Sequence, residues 1–254
     1  MQPDDDKWVI TIKQAVKRPS ISLICFPYAG GSPDLFRAWS DGLSDDVQLL
    51  AVRLPGRGNR IKETPYQDWD VLCQDTLDAL ADHLAGPHAF FGHSFGARLS
   101  YELAKLTAEK FPGMTRRLFL SSSRSPDHPQ RRPYMHEMSE SGFVEALREM
   151  GGTPAEILDN KVMMRFFLPS IHAEIRLAEL WHDRHENPLD IPVTAMYGRT
   201  DPIDDYASMI GWKQFTRQEG ELLEIPGGHF FLETHRPQVL DIINARLQGA
   251  ARPC

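Results

Sequence analysis

The chain has 254 residues, of which 41% are hydrophobic and 25% are charged, as expected for one large α/β domain or two smaller ones. Its formal net charge of −7 argues against wholesale nucleic-acid binding. The N-terminus is acidic and polar, and no apolar run approaches the roughly 18 residues of a membrane span. We therefore expect a cytoplasmic protein without a membrane segment.

The cysteines predict neither a disulfide framework nor a metal site. Cys25, Cys73 and Cys254 are odd in number, widely scattered and without the spacing of a metal-binding pair. We expect reduced thiols, no metal and no other resident cofactor.

Strand and helix patterns alternate over the first part of the chain. Apolar runs at 21–26 and 47–52 are typical of buried strands, and residues 8–10 indicate an edge strand or an anchoring patch. Helical spacing of apolar residues marks 35–43 and 68–84. The predicted apolar face of the second helix carries Val71, Leu72, Leu77, Leu80 and Leu84.

A loop follows each of the two buried strands. The first, PYAGGS at 27–32, has paired glycines that let the backbone approach a ligand closely, with a plain flexible turn as the alternative. The second, LPGRGNR at 54–60, is expected to be a solvated basic loop, with a phosphate-binding role as the alternative.

The stretch HAFFGHSFGARLSYEL at 88–103 carries the most specific signal. An apolar run ends in GHSFG at 92–96, and an amphipathic helix begins at once. This is the G-x-S-x-G nucleophile elbow in its expected place between a strand and a helix, with Ser94 exposed at the turn. Side chains at Gly92 and Gly96 would clash with the neighbouring strand and helix. Taken alone, the five residues also fit a glycine-rich turn.

A change of pattern follows the next predicted strand, at 118–121. No convincing strand is found between about 126 and 187. Residues 143–150, 154–158 and 161–181 read as helices, and we predict an inserted helical lid. Most of its large apolar side chains are expected to pack on the main body and about a third to line an acyl channel. They are Met150, Met163, Met164, Phe166, Phe167, Leu168 and Trp181.

Strand patterns return at 191–198 and 221–225, and a helix at 237–247 closes the chain. Because strands and helices alternate before and after the lid, the sequence predicts an α/β fold with a mostly parallel sheet covered by helices on both faces.

Three candidate catalytic residues follow strand ends, in the chain order Ser94, Asp201, His229. Loops at the carboxyl ends of parallel strands share one edge of the sheet, so the three are expected to converge. Ser94 is the expected nucleophile, His229 the base, and Asp201 the group that holds the imidazole. The backbone N–H groups of Ala29 and Phe95 are the expected oxyanion hole.

The acid of this predicted triad has the closest rivals. Asp201 precedes a proline and also fits a turn or cap residue, and Asp204 and Asp205 lie nearby. Among the histidines, His93 lies inside the elbow and is expected to point away from the serine hydroxyl. His229 is favoured because two glycines precede it at the end of the last strand.

Five motifs stand at strand ends: FPYAGGS, LPGRGNR, GHSFGA, YGRTDP and PGGHFFL. Their combination resembles the type II thioesterases, stand-alone enzymes that accompany polyketide synthases and nonribosomal peptide synthetases, and the likeness spans about residues 7 to 247. The resemblance implies an α/β-hydrolase fold with a helical lid at about 126–187, in a single domain over residues 1–254. The residue after the nucleophile is often methionine in this family; Phe95 keeps the backbone donor but is expected to reshape the acyl pocket.

The resemblance also implies the chemistry. These enzymes hydrolyse acyl thioesters on the phosphopantetheine arm of acyl or peptidyl carrier domains through an acyl-enzyme, without a cofactor. Their typical task is to remove aberrant or stalled acyl groups in antibiotic biosynthesis. The lid carries few motifs, so the resemblance does not specify the acyl groups accepted, and we expect a monomer.

The charge of the expected partner raises a difficulty. Carrier proteins are commonly acidic, and so is this chain, so net charge predicts no long-range attraction. A local basic patch would resolve this difficulty, although each arginine singly is expected to be a solvated loop charge. The candidates are Arg116, Arg117, Arg124, Arg131 and Arg132.

Four alternative functions stay open. A small-molecule carboxylesterase or lipase would use the same triad, as would a chain-releasing medium-chain fatty acyl thioesterase. The motif set and the cytoplasmic character disfavour the esterase. An inactive scaffold that only binds ligands is disfavoured by the complete triad. A cyclising terminal domain cut from a megasynthase is disfavoured by Met1 and by the absence of a carrier-like region.

Overall fold

The strands of the computed structural model, which describes residues 7–16, 19–183 and 187–250, form one sheet. Within those ranges it has seven strands, in the order β1-β3-β2-β4-β5-β6-β7. All neighbours pair in parallel except β1, which runs antiparallel to β3, so the predicted mostly parallel sheet is confirmed. The strands are β1 (Val9–Lys13), β2 (Ile21–Phe26), β3 (Val47–Val52), β4 (His88–His93), β5 (Thr115–Ser121), β6 (Val193–Gly198) and β7 (Gly220–Ile225).

Helices connect and cover the strands. In the described part of the chain, no helix is long and apolar enough to cross a membrane. The α-helices are α1 (Trp69–Ala79), α2 (Ala81–Leu84), α3 (Phe95–Lys110), α4 (Glu140–Met150), α5 (Ala155–Leu158), α6 (Lys161–Leu180), α7 (Tyr206–Met209), α8 (Phe231–Thr234) and α9 (Arg236–Ala250). A ten-residue 3-10 helix lies at Pro33–Gly42, and short ones lie at Gly58–Arg60, Met135–Glu137 and Ile210–Gln214.

Two apolar cores lie on the opposite faces of the sheet, because successive strand side chains point to opposite sides. From β2, Ile24 and Phe26 pack with side chains of α1 and α3, whereas Leu23 and Cys25 pack with those of the Pro33–Gly42 segment and α9. Cys25 and Cys73 are both buried. Cys254, the third predicted thiol, lies outside the described residues.

The region predicted as one helix over 68–84 is two helices, and the prediction for one of its side chains is wrong. Asp68 caps α1 by accepting the N–H groups of Asp70 at 2.9 Å and Val71 at 3.1 Å. Helix α1 buries Leu72 and Leu77 against the sheet. Val71, which was predicted to lie on the same apolar face, is 51% exposed.

The chain between β5 and β6, called the lid below, contains helices joined by loops and has no strand among its described residues. It contains α4, α5 and α6, and the longest of these lies across the carboxyl ends of the strands. The lid has an apolar cluster of its own, separate from the two sheet cores. The cluster is formed by Met135, Phe143, Leu147, Leu158, Met164, Ile171 and Ile175.

Candidate active site

Ser94 lies in the turn between β4 and α3, in a backbone conformation that L-residues rarely adopt. Its φ is 55° and its ψ is −115°. The turn is held because the Ser94 N–H donates to the Ser121 carbonyl at 2.8 Å and the Ala97 N–H donates to the Ser94 carbonyl at 3.0 Å. A strained residue that its surroundings fix so firmly is typical of a functional site.

The two elbow glycines are required by backbone contacts. A Cβ added to Gly92 would lie 2.1 Å from the carbonyl oxygen of Gly96. A Cβ added to Gly96 would lie 2.2 Å from the carbonyl oxygen of Phe26, at the end of β2. The G-x-S-x-G spacing thus lets α3 start against the neighbouring strand, with Ser94 at its N-terminus.

Asp201 and His229 form a buried pair at the ends of β6 and β7. The His229 Nδ1 lies 2.9 Å from Asp201 Oδ2 and 3.1 Å from Oδ1, and both side chains are almost inaccessible. Asp201 also accepts the N–H groups of Ile203 at 2.8 Å and Asp204 at 3.0 Å. Burial by itself raises the pKa of Asp201, but His229 and these N–H groups outweigh it and hold the pKa below its ordinary value. The carboxylate is therefore ionised and faces the imidazole.

The rival aspartates have other partners. Asp204 Oδ1 accepts the N–H of Arg124 at 3.0 Å. Asp205 caps α7 by accepting the Ser208 N–H at 3.0 Å. Of the three aspartates, Asp201 is the one whose carboxylate contacts His229.

His93 lies beside this pair rather than in it. Its Nδ1 is 2.8 Å from the Ser121 hydroxyl, and its ring centroid is 5.3 Å from that of His229. Burial, and secondarily the charge of His229, lowers the pKa of His93 well below its ordinary value, so this ring stays neutral. The neutral ring of His93 therefore places no positive charge beside the Asp201–His229 pair.

One cavity is lined by all the groups of the predicted reaction except the buried Asp201. Ser94, His229, Ala29 and Phe95 all border it. Within the described part of the chain, the N–H groups of Ala29 and Phe95 make no hydrogen bond to another protein group. Two unengaged donors beside Ser94 are suited to a developing oxyanion, and their role stays a prediction.

The lid contributes different side chains to this cavity from those predicted. Of the seven predicted apolar residues, Met150 alone borders it. Trp181 is buried in a sheet core instead, and Phe166 is 57% exposed. The larger apolar lid side chains that line the cavity with Met150 include Met135, Leu147 and Ile175, which the helical pattern did not distinguish from packing residues.

Several arginines expected to be solvated are buried. Arg117 donates to the Thr194 hydroxyl at 2.8 Å, and Arg124 donates to carbonyl oxygens of the lid. In the loop after β3, Arg57 and Arg60 are 4% and 3% exposed. Arg57 forms a salt bridge with Glu174 of the lid. Arg60 forms one with Glu63, and its guanidinium lies 3.8 Å from the centre of the Trp8 ring. Because both arginines are buried and paired with protein groups, the prediction of a solvated basic loop is wrong, and the alternative phosphate-binding role does not fit either.

Arg98, which the sequence analysis missed, also borders the cavity. It lies one helical turn after Ser94 on α3, a spacing that places both on one helix face. Its guanidinium donates to the Ser123 hydroxyl at 3.1 Å and to the Ala178 carbonyl of α6. Burial, reinforced by the charge of Arg124, lowers the pKa of Arg98 to about 9.

No group of three or more His, Cys, Asp or Glu side chains is arranged to hold a metal ion within residues 7–16, 19–183 and 187–250.

Comparisons with known proteins extend over nearly the whole chain. The family model described as "Thioesterase domain" matches residues 21–247. The linear gramicidin dehydrogenase LgrE of Brevibacillus parabrevis is 33% identical over 246 residues, which cover 96% of this chain and 93% of that protein.

Two solved structures resemble the whole fold. The type II thioesterase BorB from the borrelidin biosynthetic cluster is 31% identical, with a TM-score of 0.85 over 94% of this chain and 97% of that one. The thioesterase RedJ from the prodiginine pathway of Streptomyces coelicolor is 34% identical, with a TM-score of 0.80 over 92% and 88%.

Proposed function

The chain belongs to the thioesterase domain family, and from that premise we propose that it hydrolyses acyl thioesters held on the phosphopantetheine arm of carrier domains. We propose further that it serves a polyketide synthase or a nonribosomal peptide synthetase in the cytoplasm by removing aberrant acyl groups. The observation that carries the proposal is the buried Asp201–His229 pair, whose His229 borders the same cavity as the strained Ser94.

In the proposed mechanism, the Ser94 oxygen attacks the thioester carbonyl carbon while its proton passes to Nε2 of His229. Asp201 holds the opposite ring nitrogen and stabilises the imidazolium. The tetrahedral oxyanion accepts the N–H groups of Ala29 and Phe95. When the C–S bond breaks, the imidazolium returns its proton to the leaving thiolate, and Ser94 is left acylated.

The second half of the reaction repeats the first with water as the nucleophile. A water molecule gives its proton to His229 as it attacks the Ser94 ester, and that proton then returns to the serine oxygen as the carboxylic acid is released. A thiolate leaves more readily than an amine, so the demand on His229 as an acid is modest. Each oxyanion donor is expected to contribute roughly 3–4 kcal/mol to lowering the barrier.

The relatives support the pathway. BorB and RedJ are thioesterases of biosynthetic clusters, as their names state. The name of LgrE denotes a dehydrogenase. The residues of this chain favour hydrolysis, because Ser94 and the Asp201–His229 pair supply the nucleophile and base that acyl transfer requires, whereas hydride transfer would use a redox cofactor.

The carrier is proposed to approach near the start of the lid. Of the five arginines predicted for this role, Arg117 and Arg124 are buried, and Arg116 is partly buried. Arg131 is exposed, and Arg132 borders the catalytic cavity, so these two are the candidates that remain for an acidic carrier.

The test compares two kinds of substrate with the purified enzyme: acyl carrier proteins bearing different acyl groups, and p-nitrophenyl esters of the same acids. Ser94→Ala, assayed with the same substrates, is the control. Mass spectrometry of the carrier should show loss of the acyl group, with kcat/KM well above that for the ester, and no loss with Ser94→Ala. A higher kcat/KM for the oxygen ester would point to the esterase alternative. Consumption of NADPH without free acid would point to redox chemistry.

A further inference from the structure

A buried salt bridge between lid helix α6 and the loop after β3 also binds the predicted oxyanion loop, residues 27–32 after β2. Glu174 of α6 accepts the Gly30 N–H at 2.7 Å with Oε2 and pairs with Arg57 through Oε1. Arg57, from the loop after β3, also donates from Nη1 to the Gly31 carbonyl at 2.9 Å. The two charged side chains thus hold the backbone directly after Ala29 from two directions.

The same helix packs closely on both loops at glycines. Gly30 has a φ of +76°, and a Cβ there would lie 2.6 Å from Cγ1 of Ile171 on α6. Gly56 has a φ of +82°, and a Cβ there would lie 2.5 Å from the Cβ of Ser170. This close packing brings α6 near enough for the carboxylate of Glu174 to reach the Gly30 N–H.

The pair is poorly explained as a device for stability alone. Its side chains are 5% and 6% exposed, and the Nε of Arg57 is buried without a partner. A buried ion pair with an unsatisfied donor contributes little net stability, because desolvation offsets the attraction. Burial raises the pKa of Glu174 despite the opposing effects of Arg57 and of the Gly30 N–H.

We propose that Arg57 and Glu174 are positioning residues that fix the oxyanion loop and make its geometry depend on the seating of lid helix α6. Glu174 fixes the peptide plane between Ala29 and Gly30, and Arg57 fixes the Gly31 carbonyl. Together they orient the preceding Ala29 N–H toward the cavity. When α6 lifts from the sheet edge, Glu174 leaves with it and the donor loses its fixed direction. This inference rests on the proposed function, because it assigns Ala29 to the oxyanion hole.

The test measures kcat and KM for a small acyl thioester, butyryl-N-acetylcysteamine, so that it does not depend on recognition of a carrier. Glu174→Ala should lower kcat about 10- to 100-fold with KM within about twofold, since a displaced donor loses part of the roughly 100- to 1,000-fold effect of a deleted one. Glu174→Gln keeps an oxygen for Gly30 and should lie within about fivefold of wild type. Arg57→Lys cannot bridge Glu174 and Gly31 with a planar fork and should be intermediate.

The control variant is Arg176→Ala, on the same helix. Arg176 donates to the Gln67 carbonyl at 3.3 Å, away from the oxyanion loop, and its loss should leave kcat unchanged. Near-ultraviolet circular dichroism and thermal unfolding confirm that the variants compared are folded. The apparent pKa of kcat/KM should not move in the Glu174 and Arg57 variants, because neither contacts His229.

Wild-type kcat in folded Glu174→Ala and Arg57→Lys would overturn the inference, as would an equal loss in Arg176→Ala. If Glu174→Ala does not fold, Arg57→Lys decides, and a wild-type kcat in that folded variant also overturns the inference. Failure of the proposed function gives a different result: the enzyme hydrolyses the small thioester with the expected order of variants but leaves acyl carriers untouched.

Discussion

The elbow and lid helix α6 meet at one cavity but are held in different ways. The elbow is fixed by backbone against backbone: Gly92 and Gly96 leave no room for a single carbon atom. Helix α6 is held by side-chain tethers. Trp69 donates to its Leu177 carbonyl at 2.8 Å, Arg98 donates to the Ala178 carbonyl, and Glu174 binds the oxyanion loop.

This difference predicts a gradient of mutational effects. A steric requirement admits one residue type, so its violation disrupts the fold around Ser94. A tether can be weakened by degrees, so changes in the lid should tune the reaction rather than abolish it. The following substitutions test this gradient, from the largest expected effect to the smallest.

Gly96→Ala should have the largest effect. The added Cβ would lie 2.2 Å from the Phe26 carbonyl, so either β2 or α3 must move, and the free energy of unfolding should fall by more than about 4 kcal/mol. Chemical denaturation measures the change. The control is Gly86→Ala, where a Cβ meets nothing within 4 Å, and its stability should stay within about 1 kcal/mol of wild type. Similar losses in both variants would refute the steric account.

Asp201→Asn should have the second-largest effect, a loss of catalytic rate. The amide keeps the shape of the side chain but no longer favours the imidazole tautomer that accepts the serine proton, so kcat should fall by about 10⁴-fold at neutral pH. Steady-state hydrolysis of a small thioester measures it. The matched change Asp205→Asn preserves the cap of α7 and should leave kcat within about twofold. A comparable loss in Asp205→Asn would reassign the acid.

The pH dependence of stability should run in opposite directions for the two carboxylates. The folded pKa of Asp201 is lowered, so its stabilisation is present above about pH 4 and is lost as the pH falls through the folded pKa. The folded pKa of Glu174 is raised, so its favourable contribution is present below about pH 4 and is lost as the pH rises through the folded pKa.

The free energy of unfolding of Asp201→Asn and Glu174→Gln, measured in urea between about pH 3 and 7, distinguishes the two opposite pH dependences. Relative to wild type, Asp201→Asn should lose stability as the pH rises, and Glu174→Gln should gain it. If stability relative to wild type changed with pH in the same direction in both variants, the opposite pKa shifts assigned to Asp201 and Glu174 would be wrong.

Arg131→Glu should have the smallest effect. This exposed residue contacts neither the triad nor the oxyanion loop, so charge reversal should raise KM for an acyl carrier about fivefold, less at high salt, and leave a small thioester unaffected. Arg37→Glu, exposed in the Pro33–Gly42 segment, is the control and should change neither KM. Equal effects on both substrates would contradict carrier contact at Arg131.

Local pattern was enough to predict the sheet and the elbow. Residues 21–26 and 47–52 are strands over those same residues, because continuous apolar runs between turns fit buried parallel strands. The elbow could be predicted because any strand-to-helix turn of this kind brings the backbone too close to its neighbours for a side chain at the two glycine positions. Parallel strands also place Asp201 and His229 at one edge, so their pairing followed from topology.

The contacts of the lid could not be predicted in the same way. Arg57 looked solvated because its partner, Glu174, lies 117 residues away in a helix without any motif. The choice between cavity-lining and packing residues, such as Met150 and Trp181, depends on how the lid helices sit on the sheet. The spacing of apolar residues along a helix identifies its apolar face, but it does not show whether that face packs on the sheet or lines the cavity.

The most direct test of the proposed reaction is to find the acyl group on Ser94. The enzyme is mixed with an acyl carrier protein, quenched with acid at early times and digested, and the peptides are examined by mass spectrometry. We expect an adduct of the acyl mass on the peptide that contains Ser94, appearing before free acid accumulates, and neither adduct nor acid with Ser94→Ala. Release of the acid at the wild-type rate by Ser94→Ala, or an acyl group on another residue, would contradict the account.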